Sequence, residues 1–186
     1  YASEATTKLL PLNWPEIAIS EVPDLCQPLR WNSQVELRSG LTAELFPAGH
    51  LPGATAFLLT YNGKNRSYKL LYTGDFFLSK SRLVEGLPIA DLRGLKLDVL
   101  IVEGSYGTAH YPHRRQLENN LAQRVCQAIT SGSSVILPTP PLGLGQELLM
   151  LLRSHHYFTG CDIDIWVEEK VARGCDLYLE LLRSEE

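Results

Sequence analysis

The chain has 186 residues, 45% of them hydrophobic and 20% charged, with a formal net charge of −4. That composition belongs to an ordinary folded protein and excludes both a disordered tail and a protein that coats nucleic acid through bulk basicity. No apolar run approaches the ~18 residues that cross a bilayer, which excludes a membrane-spanning helix.

Residues 1–40 read as irregular. Pro11, Pro15, Pro23 and Pro28 punctuate them and leave no room for a long helix. Val35–Leu37 ahead of Ser39-Gly40 reads as a short strand and turn. Leu41–Phe46 alternates apolar and polar residues, the pattern of a half-buried strand. Ala56–Tyr61 is a second strand running into Asn62-Gly63, a hairpin signal because both residues tolerate positive φ. Tyr68–Tyr72 is the returning strand. A short helix is expected near Ile89–Arg93, and Asp98–Val102 reads as a strand buried on both faces.

After Tyr106 the pattern changes. Gln116–Ser131 has helical spacing, with Leu117, Leu121, Val125 and Ile129 on one face. Ser134–Leu137 reads as a short buried strand, Pro138–Gly145 as a loop, Gln146–Arg153 as a helix, Asp162–Val167 as a strand and Glu168–Arg183 as a helix. Helices alternating with strands predict an α/β layer with a parallel sheet. The shift in composition predicts a domain boundary near residues 105–112. Tyr1 is followed by no signal-peptide pattern, so the chain is expected to be a piece of a longer one. Cys26, Cys126, Cys161 and Cys175 form no C-x-x-C pair. They read as buried or incidental thiols of a reducing compartment, not as zinc ligands or a disulfide framework.

Chemistry concentrates where three apolar runs stop. Ala48-Gly49-His50-Leu51-Pro52-Gly53-Ala54 follows the first, Thr73-Gly74-Asp75 the second and Glu103-Gly104-Ser105-Tyr106-Gly107 the third. Glycine beside His50 lets backbone approach closely, and Pro52 stiffens the exit. Taken singly, His50 reads as a turn histidine and Asp75 as the side chain of an Asx-turn. Glu103 is costly at the end of a core strand unless it is paired or linked to a metal. Together, a histidine, an aspartate and a glutamate on successive strand ends look like parts of a metal site. Between Thr60 and Val84, Lys64, Arg66, Lys69, Lys80 and Arg82 accompany only one acid, Asp75. That rim is a solvated hairpin or a phosphate-contacting patch. His155-His156 closes a helix and reads as structural, complementing its dipole. His110 and His113 lie in an exposed loop ahead of Arg114 and Arg115.

The ordered series AGHLPGA, LLYTGDF, DVLIVEGSYG and VILPTPPLGLGQELLMLL resembles the β-CASP group of metallo-β-lactamase-fold nucleases, over roughly residues 40–152. The resemblance implies an α/β fold: residues 1–107 as the C-terminal part of a metallo-β-lactamase αββα sandwich, and 108–186 as the start of a β-CASP domain. It implies that His50 and Asp75 are zinc ligands, Asp75 bridging two ions. Catalytic roles fall to Asp75 and Glu103, Glu103 orienting a downstream histidine, and substrate contacts to Ser105 and Tyr106. The implied activity is zinc-dependent hydrolysis of phosphodiester bonds in RNA, with DNA as second choice. Two zinc ions ~3.5–4 Å apart would clamp the phosphate and activate water. RNA is the implied partner, with a homo- or heterodimer of β-CASP proteins and no membrane, in the cytoplasm or, in a eukaryote, the nucleus.

The chain departs from the family pattern in several places. The upstream H-x-H-x-D-H motif is absent, and the first histidine is His50. The later β-CASP histidine motifs are also absent. Leu144 stands where the family usually has arginine in G-R-x-Q-E-L-L, and Gly104 replaces the usual serine or threonine after the motif acid. The missing histidine motifs are expected in flanking parts of a longer chain. Leu144 favours, against the intact His50, Asp75 and Glu103, a catalytically silent β-CASP scaffold or RNA-binding subunit as the second reading, and a small-molecule hydrolase of the same fold is the third. The chain alone, with two metal ligands, is expected to be inactive.

Overall fold

The computed structural model describes residues 1–15, 27–110 and 112–183. Pro23 and Cys26 lie outside the described residues. Two compact units share the chain: residues 1–105 with 177–186, and residues 106–176.

The first unit opens with β1 (Ala2–Ser3) and α1 (Glu4–Asn13). This ten-residue helix corrects the expectation of an irregular segment. Ser3 caps it by accepting the Thr6 N–H, Glu4 sits in the first turn, and Lys8 pairs with Glu4 at 3.1 Å. Pro11 lies inside the helix, where its ring forfeits one backbone hydrogen bond. Burial of Leu9 and Leu12 compensates. The short β2 (Pro28–Leu29) pairs in parallel with β1.

Five strands then form one sheet: β3 (Gln34–Arg38), β4 (Leu41–Pro47), β5 (Thr55–Asn62), β6 (Ser67–Tyr72) and β7 (Val99–Ile101), side by side in that order. The first four are joined as antiparallel neighbours, and β7 lies parallel to β6. One row across the sheet reads Leu45, Phe57, Tyr72, Ile101. Phe46, Ala56, Leu58 and Leu71, with Leu87, form a buried core, against which Phe76, Leu92, Leu95 and Leu97 pack. Leu92 ends the short α2 (Ile89–Leu92).

The β5–β6 hairpin is present but not with the tight turn that Asn62-Gly63 suggested. Asn62 pairs with Ser67, the Gly63 N–H reaches the Arg66 carbonyl at 3.0 Å, and neither Asn62 nor Gly63 has a positive φ. The loop spans Gly63 to Arg66, closed further by the Ser67 hydroxyl on Asn62 Oδ1 at 2.6 Å. A four-residue loop relieves Asn62 of the left-handed conformation.

A third correction concerns β7. Its residues are exposed, Leu100 at 55%, not buried on both faces. It is the edge strand of the sheet, and among the described residues no strand pairs with its outer side.

The second unit holds α3 (Arg114–Thr130), α4 (Leu144–Ser154), a 3₁₀ turn at His156–Phe158 and the start of α5 (Glu169–Arg183). Ala122, Val125, Leu152 and Phe158 form its core, with Leu121, Cys126, Ile129, Leu137 and Ile163 against it. Leu117, expected on the buried face of α3, is exposed. The strands expected at 134–137 and 162–167 do not form: both stretches lack ladder bonds, and Ile136 and Trp166 are 87% and 93% exposed. An extended run becomes a strand only when a neighbour takes its N–H and C=O groups. Among the described residues neither run has such a neighbour. The helices of the α/β pattern are therefore present, and among the described residues of this half no parallel sheet forms. Among the described residues no helix is long and apolar enough to cross a membrane.

Candidate active-site rim

Strand directions decide where the chemistry goes. Because β5 runs antiparallel to both β4 and β6, those two point the same way, and β7 runs parallel to β6. The C-terminal ends of β4, β6 and β7 therefore share one rim of the sheet. His50 follows the end of β4, Asp75 the end of β6 and Glu103 the end of β7.

The His50 loop is closed by two backbone bonds, from the Ala48 N–H to the Ala54 carbonyl at 2.8 Å and from the Ala54 N–H to the Leu51 carbonyl at 2.9 Å. Gly49 adopts φ 75°, and a Cβ there would stand 2.6 Å from the Phe77 carbonyl oxygen. Only glycine fits. Phe77, two residues beyond Asp75, donates its N–H to the Ala48 carbonyl at 3.0 Å and sets its ring 5.2 Å from the His50 imidazole. The loops carrying His50 and Asp75 are thus stitched together beside both side chains. At the far end of the His50 loop, the Ser3, Thr6 and Thr55 hydroxyls lie 2.7, 2.9 and 2.8 Å from the Gly53 carbonyl oxygen. A Cβ on Gly53, at φ 87°, would meet the Thr6 nitrogen at 2.8 Å.

Asp75 is exposed, on a bend after Gly74 at φ 57°. Thr73, which is buried, joins the second and third strand ends. Its N–H reaches the Ile101 carbonyl at 3.1 Å, and its hydroxyl accepts the Glu103 N–H at 3.4 Å. Glu103 is half-buried and accepts the Ser105 N–H at 2.6 Å. That N–H, then the Ser105 hydroxyl, hold its carboxyl below the ordinary 4.5; burial opposes them, and the charge on His50 lowers it further. Glu103 is therefore an ionised acceptor within the field of His50. The cost of a carboxylate on a core strand, argued from the sequence, does not apply to the exposed β7; Ser105 partners the group instead. Ser105 engages Glu103 through both of its donors, and Tyr106 is exposed in the second unit.

Two contributors escaped the sequence reading. Thr73 carried a signal, a hydroxyl directly before Gly-Asp, whereas nothing marked Phe77 as the stitch to the His50 loop.

Imidazole and carboxylate are donor types that zinc accepts. His50 and Asp75 provide one of each at this rim, and among the described residues no three His, Cys, Asp or Glu side chains cluster closely enough to hold a metal. The basic residues between Thr60 and Val84 are partly engaged: Arg66 pairs with Asp98 at 3.2 Å and lies 4.2 Å from the Tyr68 ring centre, and Lys80 pairs with Glu85.

In the second unit, Arg114 pairs with Glu118 and with Glu147 of the Gln-Glu-Leu-Leu run. Burial works against its charge, but the two carboxylates raise its pKa overall. Gln146 is buried and donates to the Pro141 and Val171 carbonyls at 2.9 and 3.0 Å, while Leu144 begins α4 half-exposed. His155 contacts Asn119 at 3.0 Å and stacks on His156.

No family model matches the chain. It is 53% identical over 177 residues to the uncharacterized protein sll0514 of Synechocystis sp., covering 95% of this chain and 31% of that one. It is 30% identical over 145 residues to the probable RNase MJ4 of Methanocaldococcus jannaschii, covering 74% of this chain and 32% of that one. It is also 36% identical over 110 residues to the endoribonuclease ysh1 of Emericella nidulans, covering 59% of this chain and 12% of that one. The chain spans a third or less of the length of each of these relatives.

Proposed function

The chain belongs to the β-CASP group of metallo-β-lactamase-fold nucleases, and on that premise we propose that the whole protein hydrolyses phosphodiester bonds in RNA, DNA being the alternative substrate. Residues 1–107 would belong to its metallo-β-lactamase domain and residues 108–186 to the start of its β-CASP domain. The observation that carries the reading is the shared rim: three strand ends pointing one way and bearing His50, Asp75 and Glu103.

In this reading His50 and Asp75 would hold zinc together with donors from elsewhere in the protein, Asp75 serving both ions. Zinc, when bound, polarises the phosphate and lowers the pKa of water. The Phe77 and Gly49 contacts hold the imidazole in place, because the His50 loop cannot shift without breaking the Phe77–Ala48 bond. Glu103, ionised and fixed by Ser105, orients a histidine by accepting its N–H. Ser105 and Tyr106 border the path of the strand, and Lys or Arg contacts to phosphate make binding salt-dependent. A dimer of β-CASP proteins and a cytoplasmic or nuclear place belong to the same proposal.

The test is cleavage of labelled single-stranded RNA by the whole, zinc-supplemented protein. Asp75→Ala should lose metal and turnover together, by more than the ~10–100-fold that follows loss of a ligand's supporting bond. Equal cleavage by Asp75→Ala sinks the mechanism. Leu144 in place of the usual arginine favours a second reading, a catalytically silent partner subunit. That reading takes over if the zinc-loaded wild type cuts neither RNA nor DNA.

A further inference from the structure

Cys126 and Cys161 are far apart in sequence, yet their thiols meet at one atom. The Cys126 Sγ lies 3.7 Å from the Tyr157 carbonyl oxygen and the Cys161 Sγ 3.5 Å from the same oxygen. The two sulfurs are therefore no farther apart than the sum of those distances, with a single carbonyl between them. Both are free thiols of the second unit; Cys126 is half-buried on α3 and Cys161 is exposed.

The surroundings favour closure. The Cys126 end is fixed, because it packs on the core formed by Ala122, Val125, Leu152 and Phe158. The Cys161 end is exposed. It follows the 3₁₀ turn, attached by its N–H to the Phe158 carbonyl at 3.1 Å, and comes directly after Gly160 at φ 74°. A Cβ on Gly160 would meet nothing within 4 Å, so this corner is open. A disulfide needs its Cβ atoms about 3.5–4.5 Å apart, and rotation about the Gly160 backbone is the motion that brings the exposed thiol toward the fixed one.

We propose that Cys126 and Cys161 form a dithiol modification site, which a peroxide converts to an intramolecular disulfide linking α3 to the turn after Phe158. The exposed Cys161 thiolate attacks one peroxide oxygen. The O–O bond breaks, and Cys161 becomes a sulfenic acid as the second oxygen leaves as hydroxide. The Cys126 thiolate then attacks the Cys161 sulfur, forming the S–S bond and expelling the sulfenic oxygen as hydroxide. Two thiols and one hydrogen peroxide yield one disulfide and two waters. The proposal stands apart from the nuclease reading, since both cysteines belong to the second unit and His50, Asp75 and Glu103 to the first.

The experiment treats the whole chain with hydrogen peroxide, alkylates remaining thiols under denaturing conditions and maps the unreduced peptides by mass. The expected product is a Cys126–Cys161 cross-linked peptide within monomeric protein, lost on treatment with dithiothreitol. Cys126→Ser should leave Cys161 as a sulfenic acid trapped by dimedone, and Cys161→Ser should leave Cys126 alkylated. The wild-type map does not depend on how the variants fold. Preferential pairing of either thiol with Cys26 or Cys175, pairing between molecules, or alkylation of both thiols after an excess of peroxide each overturns the proposal.

Discussion

The sheet of the first unit and the extended runs of the second are built from similar residues and end differently. Leu41–Pro47, Thr55–Asn62 and Ser67–Tyr72 form continuous ladders, whereas 134–137 and 162–167, equally apolar, form none. The difference is where the partner lies. Each antiparallel strand finds its neighbour across a short loop, but a parallel strand must wait for one supplied through a crossover. Apolar patterning marks a segment that suits a sheet; it does not supply the second strand.

Hydrogen exchange gives the sharpest test of that contrast. Amides of β4, β5 and β6 should exchange more slowly than those of 134–137 and 162–167 by factors of ~10³ or more, since opening costs range from near zero to the global stability. Comparable protection in both sets, read by mass spectrometry of the chain, would mean that the second set has found partners.

Core truncation is the next largest effect. Leu45, fully buried, should cost about 2–5 kcal/mol as Leu45→Ala. Ile136→Ala, at a residue 87% exposed, should stay within about 0.5 kcal/mol. Urea unfolding followed by circular dichroism measures both, and a large loss at Ile136 breaks the comparison.

Gly53→Ala probes a single joint of the first unit. The left-handed backbone alone costs roughly 1–2 kcal/mol for a residue with a Cβ, and the Cβ also presses on Thr6. Thermal unfolding should shift down, with exchange rising in α1 before it rises in β5. An unchanged melting temperature removes Gly53 as an anchor.

The smallest effect is electrostatic. Because the Glu103 carboxyl titrates below its ordinary 4.5 when folded, its contribution to stability is complete above 4.5 and fades as pH falls through the lower folded value. Carbon-detected titration of the side chain should place its midpoint below 4.5. Ser105→Ala should raise it only part of the way, because the stronger backbone N–H bond remains. A midpoint that Ser105→Ala leaves unmoved would detach the hydroxyl from the site.

Much of the first unit was legible because its signals are local. Alternation located β4, the turn residues Asn62-Gly63 located the hairpin of β5 and β6, and the three polar strand ends follow from chain order once strand directions are known. The prolines of 1–40 mask the helix α1, whose own signals are the Ser3 cap, the first-turn Glu4 and the Leu9–Leu12 spacing. The exposure of β7 was hidden because an apolar run reads alike whether or not its faces are covered. The Ala48–Phe77 stitch joins residues far apart in sequence, through backbone atoms that carry no residue-type signal. That the three strand ends share one rim follows from the strand directions; what fixes His50 does not.

The hairpin loop at Gly63–Arg66 sits on the rim opposite His50 and Asp75, about 20 Å away at ~3.4 Å per residue along β6. Closing a longer loop there costs little, since the entropy of closure rises only slowly with length. The position between Lys64 and Asn65 is thus a natural port for an inserted epitope or dye. Such a label would ride on the sheet and report its integrity, with the register of β5 and β6 still set by the Asn62–Ser67 pair and the chemistry at the far rim undisturbed.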